Sequence, residues 1–179
     1  QIYVVDNSVD NVAFLYSFIV GFVEPSLVAF LHARLSFSEI QKTMGLFRGG
    51  FLRILVSTVI VESGIDVGSA NTIVINNSHL FGLSQLYQLR GRVGRSSSQA
   101  FAHLFVPNKK SVSDAGSVRL QSLVKYTALG SGYFIAVEDL KLRGAGSLFG
   151  YEQSGDGGVG YEYYSHLLSL SLGLYGGFL

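Results

Sequence analysis

At 179 residues the chain is long enough for one domain with a real core plus an appendage. Its 13 Lys+Arg against 12 Asp+Glu leave a formal charge of +1, so any nucleic-acid contact has to come from local clustering and not from a global field. The absence of cysteine excludes disulfides, cysteine-based metal sites and a thiol nucleophile in this sequence.

In chain order, residues 2–5 form a β-branched and aromatic run closed by Asp6-Asn7-Ser8, which reads as a buried strand followed by a helix cap. A helix is expected over 9–21, broken by Glu24-Pro25-Ser26, then a second strand over 27–31 ending at His32. Ser36 with Glu39 three residues on has the pattern of a capping box, opening a helix through about Phe47 that Gly49-Gly50 ends. Further strands are expected over 51–56, 72–75 and 101–106, separated by short helical pieces over 59–63 and 83–90. Pro107-Asn108-Lys109-Lys110 marks a boundary. Beyond it the pattern gives a helix over 112–129, a break at Ser131-Gly132, a helix over 133–142, a glycine-rich loop over 143–158 and a last helix from Tyr161.

Strands alternate with helices, and the strands are continuously apolar, which predicts an α/β fold: a parallel sheet with helices on both faces, followed by a helical hairpin and loop. In such sheets ligands bind beyond the carboxyl ends of the strands, where Asn7, His32 and the pair Ser57-Thr58 fall. With 14% charged residues, helix surfaces such as 12–22 are left without a polar face. Two uncharged stretches, 11–23 and 163–179, are shorter than the roughly 20 residues a membrane span needs, so buried or partner-facing helices are expected there and no membrane. The start at Gln1 lacks a signal peptide and runs directly into a strand, which points to a cytoplasmic protein cut from a longer chain. The four histidines, at 32, 79, 103 and 166, have no metal-ligand spacing, so no metal site is expected.

Two stretches carry chemistry. Gln88-Leu89-Arg90-Gly91-Arg92-Val93-Gly94-Arg95 puts three arginines within six residues. Arginine keeps its charge at working pH and presents a planar fork of donors that suits phosphate, and glycine between arginines lets that charge come close. Such a run also fits a solvated basic turn or a non-specific nucleic-acid patch. In Ser57-Thr58-Val59-Ile60-Val61-Glu62-Ser63-Gly64-Ile65-Asp66, a hydroxyl pair at a strand end can donate to a nucleic-acid phosphate. Gly64 permits close backbone approach and Asp66 can accept from a ribose hydroxyl; a helix cap and turn is the plainer alternative.

The spacing Gln88-x-x-Gly91-Arg92-x-Gly94-Arg95 resembles motif VI of the superfamily 2 helicases and translocases, and residues 57–66 resemble motif V of the same superfamily, at the expected distance before it. Gly130-Ser131-Gly132-Tyr133-Phe134-Ile135-Ala136, Asp139-Leu140-Lys141-Leu142-Arg143-Gly144-Ala145-Gly146 and Gly150-Tyr151-Glu152-Gln153-Ser154-Gly155 narrow the likeness to the bacterial transcription-repair coupling factors. The last two resemble the TRG segment, "translocation in RecG", which those proteins share with RecG. The resemblance runs over about residues 2–164. Glu62-Ser63-Gly64-Ile65-Asp66 and Arg143-Gly144-Ala145-Gly146 stand nearer the coupling factors than RecG.

This resemblance implies a second RecA-like lobe over 1–110, a helical hairpin and TRG-like loop over 111–158 and a C-terminal helical segment over 159–179. ATP would sit between two lobes, faced here by Gly64, Asp66, Gln88, Arg92 and Arg95, with Arg92 and Arg95 as arginine fingers. DNA would be faced by Thr58, Ser57, His32 and Asn7, and Arg143 and Gln153 would couple the two activities. No phosphate-loop motif and no Asp-Glu acid pair occurs in the sequence, so Mg²⁺ and most ATP contacts would belong to a first RecA-like lobe, and this half alone would not hydrolyse ATP. The implied function is ATP-driven translocation on double-stranded DNA in a transcription-coupled repair factor that displaces stalled RNA polymerase, the polymerase being held by regions outside this chain. RecG-like fork remodelling is one alternative, and a non-catalytic nucleic-acid-binding or interaction module is the other. Two departures stand out. His32-Ala33-Arg34-Leu35 occupies the place of the family's His-Gly-x-Met, removing a close backbone approach, and Asp66-Val67-Gly68 replaces Asp-Ile-Pro, loosening that turn.

Overall fold

The computed structural model describes residues 1–58, 67–95, 99–108, 112–128 and 130–143, with Arg143 described through its backbone. Five strands, β1 (Ile2–Val5), β2 (Val28–Leu31), β3 (Ile54–Ser57), β4 (Thr72–Ile75) and β5 (Phe101–Leu104), form a parallel sheet in the order β2-β3-β1-β4-β5. The pairing is flush: Ile2 lies beside Ile54 and Thr72, Val28 beside Ile54, and Phe101 beside Thr72. The strands therefore end in line at Leu31, Ser57, Val5, Ile75 and Leu104, and the loops that follow share one edge of the sheet.

Helices are α1 (Val9–Ile19), α2 (Phe37–Arg48), α3 (Leu83–Arg90), α4 (Asp114–Lys125) and α5 (Gly132–Arg143). Successive strand residues face opposite sides. Val4 packs with Val12 of α1 and with Val28 and Val56 on one side, while Tyr3 meets Phe47 of α2 on the other, ring centroids 5.0 Å apart. Both faces are covered, which is why β1 reads as an unbroken apolar run. The sequence-expected parallel sheet with helices on both faces is the observed fold. The outer side of α1 and the turn after it are as apolar as the sequence suggested: Phe14 and Phe18 on the helix and Phe22 beyond it are exposed and pack on one another at 6.5 and 5.1 Å.

α2 opens on the expected capping box, Ser36 Oγ accepting from the Glu39 N–H at 3.3 Å and Glu39 Oε2 from the Ser36 N–H at 2.9 Å. Elsewhere boundaries shift for local reasons. The third strand begins at Ile54 instead of residue 51, because the turn through Gly50 (φ 79°) sends Phe51 into solvent and its N–H back to the Leu46 carbonyl. The fifth ends at Leu104, two residues early. The helix expected over 112–129 is shorter, Asp114–Lys125: Ser113 Oγ caps it from the Gly116 N–H at 3.1 Å, and Tyr126 leaves helical geometry. The break expected at Ser131-Gly132 falls instead at Gly130, whose φ of 80° L-residues avoid; Gly132 is the first residue of α5. A side chain at Gly132 would meet the Tyr87 hydroxyl at 3.0 Å.

Arg143, expected to open a loop, is the last residue of α5. The helical piece over 59–63, the rest of the glycine-rich loop and the last helix lie outside the described residues. The chain divides into two compact units, 1–136 and 137–179. The described part of the second is the end of α5, where Lys141 Nζ meets Glu138 Oε1 at 3.0 Å. No helix among the described residues is long and apolar enough to cross a membrane.

Candidate nucleotide and nucleic-acid site

α3 is fixed by Leu83, Leu86 and Leu89, which recur every three residues on one side and are all buried. Gln85 steadies its start by accepting from the Gly82 N–H at 3.0 Å. Gly91 ends it, so the three arginines fall at and just past a helix C-terminus, yet they do different things. Arg90 turns toward α4. Its Nη1 donates to the carbonyls of Leu123 and Tyr126, both at 2.8 Å, and its Nη2 to Ser131 Oγ at 3.4 Å, with the guanidinium 5.1 Å from the Tyr87 ring centroid. These carbonyls are ones that the end of α4 leaves without helical donors, and a fixed cation suits that negative helix end. Burial lowers the Arg90 pKa from its ordinary value, opposed by Tyr87; at that basicity it remains charged.

Arg92 is half-buried, whereas Arg95 and Gln88 are exposed. Arg95 Nε donates to the Gly91 carbonyl at 3.0 Å across a turn made at Gly94, φ 80°. Gln88, Arg90, Arg92 and Arg95 line one cleft of about 720 Å³, floored in part by Phe101 and Val124. The two arginines beyond α3 thus share an open, positively charged wall. That donor set fits phosphate, and it offers nothing to a divalent cation.

The other expected site residues gather at the flush edge of the sheet. The strand order sets His32, Thr58 and Asn7, which follow β2, β3 and β1, side by side. Asn7 is exposed and His32 half-buried, its Nδ1 accepting from the Arg34 N–H at 3.2 Å. Thr58 is nearly buried and donates its N–H to the Leu31 carbonyl. Ser57 is fully buried, and its Oγ has no hydrogen-bond partner among the described residues. Gly64, Asp66 and Gln153 lie outside the described residues. Arg143 belongs to the second unit.

Sequence reasoning missed the residue at the centre of this edge. Asp6, fully buried, holds four donors: Oδ1 accepts from the Ser8 N–H and Asn11 Nδ2, both at 2.9 Å, and Oδ2 from Asn76 Nδ2 at 2.7 Å and Asn77 Nδ2 at 3.0 Å. The expected cap on α1 is corrected accordingly: the Ser8 side chain makes no capping bond, and the Asp6 carboxylate takes the Ser8 N–H instead. The signal was there in Asn76-Asn77 directly after an apolar strand, but only the β1–β4 neighbourhood brings them to Asp6.

The helicase conserved C-terminal domain family matches residues 1–97. The chain is 36% identical to the transcription-repair-coupling factor of Borreliella burgdorferi over 96% of its length and 39% identical to that of Escherichia coli over 94%. It spans 15% of each of those relatives. The solved structure of RecG bound to a three-way DNA junction overlays on 96% of this chain and 22% of RecG, with a TM-score of 0.70 and 35% identity. The sheet, the arginine-bearing helix end and these likenesses agree, and the chain belongs to the helicase conserved C-terminal domain family.

Proposed function

We propose that this chain is the second lobe of an ATP-driven double-stranded DNA translocase of the transcription-coupled repair kind, acting with a first RecA-like lobe to displace stalled RNA polymerase. The observation that carries the reading is the division of labour among the arginines. All three line the cleft, but the Arg90 guanidinium is fixed on the carbonyls at the end of α4, while Arg92 and Arg95 stand beyond the end of α3, where a ligand's phosphates would meet them. The fold match and the likeness to the coupling factors support it. Bound ATP would supply a γ-phosphoryl group whose transfer to water, leaving ADP, releases energy; Arg92 and Arg95 would balance its developing charge, Gln88 would orient it, and Gly64 and Asp66 would complete the nucleotide side. Thr58, Ser57, His32 and Asn7 face DNA, and Arg143 with Gln153 carry motion between the two. Mg²⁺ is held by the first lobe. The lobe itself runs to about residue 110, and the helical hairpin and loop follow.

The test is Arg95→Ala in the intact protein. Hydrolysis should fall by about 10³ to 10⁵, the worth of an arginine finger, with DNA affinity kept. Lost DNA affinity with a shallower salt dependence and intact hydrolysis would make these arginines backbone contacts instead. Fork remodelling is a second reading, favoured by the likeness to RecG in complex with a three-way junction. Regression of a model fork without release of a stalled polymerase would select it.

A further inference from the structure

We propose that Asp6 is a positioning residue which locks the nucleic-acid-facing loop after β1 to the base of the arginine-bearing helix, so that the two are held in one register; the proposal rests on the translocase reading above. A buried carboxylate is costly unless its acceptor sites are filled, and here four neutral donors fill them from two separate loops. Oδ1 gathers Ser8 and Asn11, which follow Asn7 at the cap and in the first turn of α1. Oδ2 gathers Asn76 and Asn77, some 70 residues away, where β4 leaves the sheet.

What Oδ2 grips is a turn with little freedom. Asn77 is the sole non-glycine among the described residues with positive φ, at φ 48° and ψ 40°, a conformation asparagine tolerates best when its side chain is held. Ser78 then fastens both its N–H and its Oγ to the Phe105 carbonyl, each at 2.9 Å. The single 3₁₀ turn Ser78–Leu80 leads through Phe81 into α3, whose buried leucines make it a stiff rod ending at Gly91. Displacement at Arg92 and Arg95 therefore reaches the Asn76-Asn77 turn, and Asp6 hands it to the loop carrying Asn7. Neither Asp6 nor the two asparagines touch the cleft, so their part is geometric.

The variant to make in the intact protein is Asp6→Asn, which keeps shape but turns one acceptor into a donor facing two amide donors. Its partner is the reciprocal Asp6→Asn/Asn76→Asp, which restores a carboxylate opposite an amide at the Asn76 contact and leaves Asn77 facing the new donor. Two quantities are read: triplex strand displaced per ATP hydrolysed, and the ratio of DNA Kd values with and without a non-hydrolysable ATP analogue. Asp6→Asn should leave DNA-stimulated hydrolysis largely unchanged, lower displacement per ATP by about tenfold and bring the Kd ratio toward one, and the reciprocal variant should restore part of both. Unchanged displacement and ratio would overturn the proposal. So would a loss of hydrolysis that follows the thermal midpoint and is not restored by the reciprocal pair. A wild-type protein that hydrolyses ATP without displacing the triplex would sink the translocase reading alone, because the Kd ratio still reports on Asp6.

Discussion

Arg90, Arg92 and Arg95 look equivalent in the sequence, and the structure separates them by what surrounds each guanidinium. Arg90 fills the open carbonyls at the end of α4, a task that depends on a planar fork with donors in fixed directions. Lysine keeps the charge and loses the fork. Arg90→Lys should therefore cost about 1.5–3 kcal/mol, the range for charged hydrogen bonds, read by thermal unfolding, while hydrolysis by the intact protein falls far less than in Arg95→Ala. A larger loss of hydrolysis than of stability would return Arg90 to the phosphate-facing set. That α4 claims the first arginine was illegible in the sequence, because nothing local marks carbonyls that lie more than thirty positions downstream. Asp6 was hidden for the same reason: its partners just after β4, Asn76 and Asn77, become neighbours only through strand order.

Elements were legible where the signal is local. The capping box of α2 is written in four residues and was found; helix ends written in backbone geometry, such as Tyr126 after α4 or Gly130 before α5, were displaced by a few positions. The α2 cap also has a pH signature. Hydrogen bonds from the Ser36 side chain, then its backbone, hold the Glu39 pKa below its ordinary value. A lowered folded-state pKa adds stability that is present above the unfolded value and lost as pH falls through the folded one. Ser36→Ala should destabilise the chain by about 1 kcal/mol near neutrality and flatten the acid limb of a stability profile below the ordinary glutamate pKa. An unchanged acid limb would mean that Glu39 takes no part in the cap.

For the whole molecule, the α/β class was readable because a parallel sheet covered on both faces needs strands with no polar alternation, and β1, β3 and β4 have none. The order of those strands, and so the meeting of His32, Thr58 and Asn7, was not. Under the two-lobe reading proposed above, purified 1–179 is expected to show no ATP hydrolysis above background, and turnover that copurifies with the chain would contradict a two-lobe site. The Asp6 cluster also bears on how the molecule ages. Loss of ammonia from asparagine needs the next residue's amide nitrogen to reach the side-chain carbonyl, and the Ser78 nitrogen is engaged with Phe105 while Asp6 holds the Asn77 amide. Folded, the Asn77-Ser78 bond is guarded. Unfolded, it is open, and deamidation there writes a second carboxylate against Asp6, two like charges in one buried site. Heating should thus become irreversible with time spent unfolded, and peptide mapping of heated protein should find the new acid at Asn77 while part of the sample still refolds on cooling.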